Sequence, residues 1–365
     1  MYFNFVQNDM KKILIIGPFP PLHSYGGPTR SIEGLYNNLS IHYNCTVISP
    51  RRNLDGSKID LINHNNVIYT DLLIPYLILN GFKYDFIWFN SFFELKLILL
   101  IFLRFFYRYN LIISPRGQLS HEAINTSNSK LKYLFIRLIK LFNKFFLFHA
   151  TFYNETNNIK MHFPNARVYE ISNIFDLKYY ENSVTEKKFI FYSRIHKKKG
   201  LDILLDNLIE NKLDIKLDIY GFIEDENYWK ICEKKISQQT NIKYKGELAD
   251  GDISILSNKY SFFILPTLNE NFGHVIIELL SIGCIPILSK NTNPFHKHTT
   301  SVFNLNFELN SNNELKYVLR RVMNMKNKEI LDLKSLVEPF FESVKKKQED
   351  IKNEYVNLIE SIANN

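Results

Sequence analysis

Apolar residues are spaced along this chain as short unbroken runs, set apart by polar or glycine-rich loops and by stretches with helical periodicity. Lys12–Ile16, Cys45–Ile48, Val67–Tyr69, Phe86–Phe89 and Leu111–Ser114 read as strands, followed by His149–Thr151 and Val168–Ile171. A second set follows: Phe189–Ser193, Ile215–Tyr220, Ile242–Lys245, Phe262–Leu265 and a strand from Ile285. Runs this short, with little polar alternation, suit parallel strands covered on both faces. Between them the spacing predicts helices over Pro28–Leu39, Leu131–Phe146, Leu201–Ile209, from Gly273 onward, Leu315–Met323, Ile330–Leu336 and Val344–Ile362. Strand and helix alternate in both halves, which predicts the α/β class built from right-handed βαβ units.

Two of these helices carry unusual patterns. On a wheel, Leu131, Leu134, Phe135, Leu138, Ile139, Leu141, Phe142, Phe145 and Phe146 share an arc of roughly 160°, opposite Arg137, Lys140 and Lys144. One reading is a core-facing helix with a solvated basic back. The other joins it to Lys96, Arg104 and Arg108 on the aromatic stretch Phe92–Tyr109 as a surface for anionic lipid headgroups. The helix after Gly273 is apolar on nearly every side, yet Glu278 sits in its second turn without a charged neighbour three or four positions away. A carboxylate there needs a hydrogen-bonding or cationic partner, and such carboxylates cluster at functional sites. Glu270 stands in the loop ahead of the same helix, whose N-terminal N–H groups and dipole favour an anion once Gly273 lets it approach.

Composition adjusts this picture modestly. With 365 residues the chain is long enough for two domains, each with its own core. A net charge of +8 and a pI near 9.0 favour anionic partners and tilt the basic helix toward the membrane reading. Nucleic acid would use the same charges, but these cations lie among bulky aliphatics and phenylalanines rather than in a recognition pattern. Cys45, Cys232 and Cys284 show no metal spacing and fit a reducing cytoplasm. The N-terminus lacks a signal-peptide pattern, and the longest clean apolar run, Leu97–Leu103, is too short to span a bilayer. The expectation is a cytoplasmic protein, peripheral on the inner face of the cell membrane. Asp250-Gly251-Asp252 could suggest a metal, but it precedes a helix where Asp ordinarily caps. His296-x-His298 has no third ligand nearby in sequence. No metal is expected.

Pro266–Pro286, PTLNENFGHVIIELLSIGCIP, resembles the glutamate–seven residues–glutamate signature of the family four retaining glycosyltransferases, which have the GT-B fold. Arg194-Ile-His-Lys-Lys-Lys199-Gly200 resembles the same family's Arg-x-x-x-x-Lys-Gly segment, four cations ahead of a helix N-terminus. Gly26-Gly27, in a long Pro-rich first loop that is not the dinucleotide fingerprint, resembles the family's glycine pair. Pro115–Ala123 is similar to the loop in which members often carry His-Gly, but Arg116 stands at the histidine position. The sugar contact of that histidine therefore does not carry over, and Arg116 could instead meet a phosphate or an acidic acceptor bidentately. His121 is a nearby second candidate. Ser172–Asp176 is similar to the family's domain-boundary motif, with Ile174 replacing its glycine.

The resemblance implies a GT-B architecture of two Rossmann-like βαβ domains facing across a central cleft. Residues 1–172, with a crossing helix at 344–365, would form the acceptor-binding domain, and 173–343 the nucleotide-sugar domain. It implies metal-independent, retaining transfer of a hexose from a nucleotide-diphosphate sugar, with no cofactor. Glu270, Arg194, Lys199 and Arg116 are the expected catalytic residues. Gly26, Gly27, Gly246, Asn271, Phe272, Gly273, His274 and Glu278 join Arg194, Lys199 and Glu270 around the donor. Arg104, Arg108, Arg137, Lys140 and Lys144 would form the membrane and acceptor surface. The acceptor implied is a saccharide, lipid-linked, in O-antigen, capsule or lipopolysaccharide assembly. A nucleotide-sugar 2-epimerase of the same fold, a binding module and a basic nucleic-acid binder are the rivals.

Overall fold

The computed structural model describes residues 10–22, 25–54, 56–58, 66–125, 128–248, 252–290, 294–309 and 311–364. The chain divides into two compact α/β units, Met1–Ile174 with Glu349–Asn365, and Phe175–Gln348.

The amino-side unit is built on seven parallel strands: β1 (Lys12–Ile16), β2 (Asn44–Ser49), β3 (Val67–Tyr69), β4 (Phe86–Phe89), β5 (Asn110–Ile113), β6 (Phe146–Ala150) and β7 (Val168–Glu170). Their order in the sheet is β3-β2-β1-β4-β5-β6-β7. Alternate side chains of each strand point to opposite faces. Leu14, Ile16, Ile87, Phe89, Phe146 and Phe148 thus enter one core. Ile13, Ile15, Phe86, Trp88, Ile112 and Leu147 enter the other. This is why the strands are apolar at nearly every position instead of alternating.

The second of those cores is closed in part by the last helix, Gln348–Ala363, through Tyr355, Leu358 and Ile359. Asn38 donates to the Lys352 carbonyl (3.1 Å), Tyr43 donates to Glu360 (2.8 Å), and Lys11 pairs with Glu360. The pattern had suggested one helix over Val344–Ile362. Two are found, because Val337–Lys345 packs Val337, Phe340 and Phe341 into the carboxyl-side core before the chain turns back.

A second departure concerns Leu131–Phe146. The helix covers Ser129–Lys140 only; a 3-10 turn follows at Asn143–Phe145, and Phe146 opens β6, paired with Leu111. Only Ile136 and Ile139 of this helix are buried. Leu131, Leu134 and Leu141 are 64 %, 62 % and 75 % exposed, so the leucine stripe faces outward.

Among the described residues the carboxyl-side unit has five parallel strands: β8 (Lys188–Tyr192), β9 (Lys216–Tyr220), β10 (Ile242–Tyr244), β11 (Phe262–Leu265) and β12 (Ile285–Leu288). Their order is β10-β9-β8-β11-β12. In each unit the strand order reverses beside the first strand: between β1 and β4, and between β8 and β11. Crossover helices diverge at such a point and leave a crevice outside the carboxyl ends of the strands, where open α/β sheets bind ligands.

Candidate active site

In the carboxyl-side unit the two segments singled out by sequence leave β8 and β11, the strands flanking the reversal. Gly200 is the hinge of their contact. Its φ of 70° lies in the left-handed region, and a Cβ there would sit 2.1 Å from the Pro266 carbonyl oxygen. Only glycine allows the two loops to come this close. The Leu268 N–H donates to the Lys198 carbonyl (2.8 Å), which also accepts from the Thr267 hydroxyl (3.1 Å). Thr267 and Ser289 are fully buried, and the Ser289 hydroxyl fixes the Thr267 carbonyl (2.7 Å).

These bonds bring Lys199 and Glu270 into an ion pair, Nζ donating to Oε1. Both side chains are largely buried. Removing either partner of such a pair leaves a desolvated charge, at a cost of about 3–5 kcal/mol. Gly273, with φ 82°, caps the helix His274–Ser281. Phe272, His274 and Glu278 are buried, with the Phe272 and His274 rings 4.7 Å apart, while Asn271 is half-buried. Arg194 makes an ion pair that the sequence did not suggest, Nη1 to Glu224 Oε2 at 3.0 Å. Gly246 follows β10, where its carbonyl accepts from the Gly221 N–H (2.9 Å). Asp252 caps the turn Ile253–Leu256 by accepting from the Ser254 N–H (2.8 Å), as expected of a capping residue; Asp250 lies outside the described residues.

Arg116, Gly26 and Gly27 belong to the amino-side unit. Gly26, φ 63°, caps the helix Gly27–Leu39. Arg116 follows β5 and reaches to the end of β4. Its Nε and Nη2 donate to Asn90 Oδ1 (3.1 and 2.7 Å), and Nη1 donates to Asn173 Oδ1 (2.7 Å). The Asn90 amide donates in turn to the Ile16 and Trp88 carbonyls (3.3 and 3.4 Å). Burial pushes the Arg116 pKa below its ordinary value. Beneath it Trp88 donates to Ser114 Oγ (2.8 Å), whose hydroxyl donates to His149 Nδ1 (2.9 Å). His149 Nε2–H then donates to the Ile171 carbonyl (2.9 Å) and faces the Tyr355 hydroxyl at 3.0 Å. His121 lies on the surface beside Asn125. The sequence pattern missed Glu224, Asn90 and His149; only the place of Asn90, one residue after a strand, hinted at a role.

Residues 175–329 match the family model of the glycosyl transferases group 1. The match lies within the carboxyl-side unit. Solved structures similar to the whole chain include the Anabaena protein HepE in complex with UDP-glucose (TM-score 0.74, 16 % identity, 96 % of this chain and 99 % of that one). Sucrose-phosphate synthase from Thermosynechococcus elongatus follows at TM-score 0.72 and 15 % identity, covering 96 % and 99 %. WaaG, a glycosyltransferase involved in lipopolysaccharide biosynthesis, gives TM-score 0.65 and 11 % identity, covering 95 % and 99 %. A search of curated protein sequences finds no match. At these identities the likeness carries the fold: the two α/β units match the two-Rossmann architecture of GT-B structures.

Proposed function

We propose that the protein transfers a hexose, with retention and without a metal, from a nucleotide-diphosphate sugar to a saccharide acceptor. The observation that carries this reading is the coupling of Lys199 to Glu270 at the reversal between β8 and β11. With no ligand bound, each partner satisfies the other. An arriving diphosphate competes for the Lys199 ammonium and releases the Glu270 carboxylate to accept hydrogen bonds from sugar hydroxyls. Arg194 exchanges Glu224 for phosphate oxygen in the same way. The N–H groups after Gly273 add partial positive charge where the leaving group develops its negative charge. Glu278 holds the ribose diol in this scheme. UDP-glucose bound to HepE supports a nucleotide sugar as donor, and the role of WaaG supports a bacterial surface polysaccharide as destination.

The amino-side unit takes the acceptor, and its outward leucine stripe supports a lipid-linked one. On the neighbouring helix Leu95–Tyr107, Leu95, Phe102 and Phe106 are also exposed. Arg108, Arg137, Lys140 and Lys144 stand exposed among these apolar side chains, as contact with an anionic leaflet requires. Arg104 is a correction to this set. It is half-buried, its guanidinium stacked 5.8 Å from the Phe145 ring, so it supports the surface from beneath. Among the described residues no helix is long and apolar enough to cross a membrane.

Mass spectrometry of products from a panel of nucleotide sugars and acceptor saccharides tests the reading. The expected result is a new glycoside from one donor, formed equally in EDTA. Conversion of donor to another sugar nucleotide without acceptor would replace transfer by epimerisation, and a requirement for Mn²⁺ would return attention to Asp250 and Asp252.

A further inference from the structure

Arg116 is a cation fixed in place by neutral groups. Among the described residues its guanidinium donates three hydrogen bonds, all to the side-chain oxygens of Asn90 and Asn173. A guanidinium has five N–H donors, and this arrangement leaves one on each of Nη1 and Nη2. Among the described residues no carboxylate pairs with it at ion-pair distance. Glu155 is the acid that acts on it from further off. Its oxygens are engaged elsewhere, Oε1 by the Gly117 N–H (2.7 Å) and Oε2 by the Thr151 N–H and hydroxyl (both 2.8 Å). That distant charge offsets part of the cost of burying a guanidinium but does not engage the two remaining N–H donors.

The backbone gives a second, independent sign. Arg116 has φ 54° and Gly117 φ 77°, two consecutive left-handed residues. A non-glycine residue there costs on the order of 1 kcal/mol or more, and persists where its surroundings overdetermine it, commonly at ligand sites. Here they do: Asn90 ties the side chain to the ends of β1 and β4, Asn173 holds its other end, and Glu155 anchors the next peptide. The place so fixed is the strand-order reversal of the amino-side sheet.

We infer that Arg116 seats an anionic group of the acceptor, a phosphate or a carboxylate, through its two outer N–H donors. The assignment rests on the proposed reading that the amino-side unit holds the acceptor. A neutral hydroxyl would gain little from a guanidinium that other groups already hold rigid. Two oxygens of a carboxylate or a phosphate match the guanidinium fork and supply the missing countercharge.

The probe is inorganic phosphate, followed by isothermal titration and ³¹P line broadening, with the carboxyl-side unit first saturated with UDP. Acetate in place of phosphate tests the carboxylate alternative. Arg116→Gln should weaken phosphate binding by about ten- to one-hundred-fold, the range of a charge-assisted hydrogen-bonded pair, with UDP affinity unchanged. Unaltered phosphate affinity in that variant overturns the inference. Exclusion of phosphate by UDP overturns it differently, since the anion is then the donor's own diphosphate. Should Arg116→Gln fail to fold, Asn173→Asp decides: it keeps the guanidinium but places a carboxylate against Nη1. A loss of about tenfold or more supports the seat, and wild-type affinity removes it. Failure of wild-type protein to bind UDP would instead count against the donor site and leave the phosphate arm readable.

Discussion

Lys199 and Glu270 lie 71 positions apart, yet they form a largely buried ion pair. Each was recognisable alone, because its segment has a motif. Their pairing was not, since contact between two loops on separate strands leaves no periodic trace in sequence. Glu270→Gln and Lys199→Ala should each lower transfer by at least about two orders of magnitude if both groups act on the transition state; near-normal kcat/KM in either variant would remove its role. His149 was illegible for a different reason: an apolar strand with one histidine looks the same whether the ring is buried or capping an end. Burial, reinforced by the charge of Arg116, pushes its pKa from 6.5 down to about 3. The folded value lies below the unfolded one, so the unfolded chain binds the extra proton between those limits. Stability is therefore complete above about pH 6.5 and declines as pH falls toward 3, by up to about 1.4 kcal/mol per pH unit. Urea midpoints measured from pH 7.5 to 5 should show this decline, and His149→Gln should flatten it. Parallel profiles would mean that the ring titrates outside the fold.

At the scale of elements, the strands were the most legible part. Lys12–Ile16, Phe86–Phe89 and Phe262–Leu265 fall where the apolar runs end at glycine, asparagine or proline, because a strand buried on both faces has no other composition available. The run from Leu131 to Phe146 defeated the same logic. Its leucines and phenylalanines satisfy a helical period throughout, and nothing local says that Phe146 will pair with Leu111. Which side of that helix meets the core was also hidden, since Ile136 and Ile139 suffice to anchor it while the leucines face out. If this face meets anionic lipid, reversing Arg137, Lys140 and Lys144 to Glu should reduce sedimentation with phosphatidylglycerol vesicles steeply, with little change in melting temperature. Equal sedimentation of variant and wild type would end the membrane assignment. Each basic residue near such a surface contributes about 1 kcal/mol, so a triple reversal is well outside measurement error.

For the whole molecule, the repeated strand–helix alternation made two α/β units readable, and the strand order shows that the loops carrying Lys199 and Glu270 leave the two strands flanking a reversal. The exact return of the chain was less readable. Helix Val337–Lys345 and helix Gln348–Ala363 are separated by a two-residue break, and the apolar residues of each suit either core. Removing residues 349–364 takes Tyr355, Leu358 and Ile359 out of the amino-side core and unties Tyr43, Asn38 and Lys11. The truncated protein should lose the cooperative melting of that unit while binding UDP within a few-fold of the intact chain. Equal loss of both would show that the carboxyl-side unit depends on the missing helix.

That returning helix has a consequence for biosynthesis. A ribosome delivers the first seven strands long before the segment that completes the cover of one of their two faces, so the amino-side half waits with part of an apolar wall uncovered. The half encoded later has all of its own core once Gln348 has emerged, and it can fold ahead of its predecessor. Order of synthesis and order of completion are thus reversed, and chaperones would be expected to attend the nascent amino-side half throughout that interval.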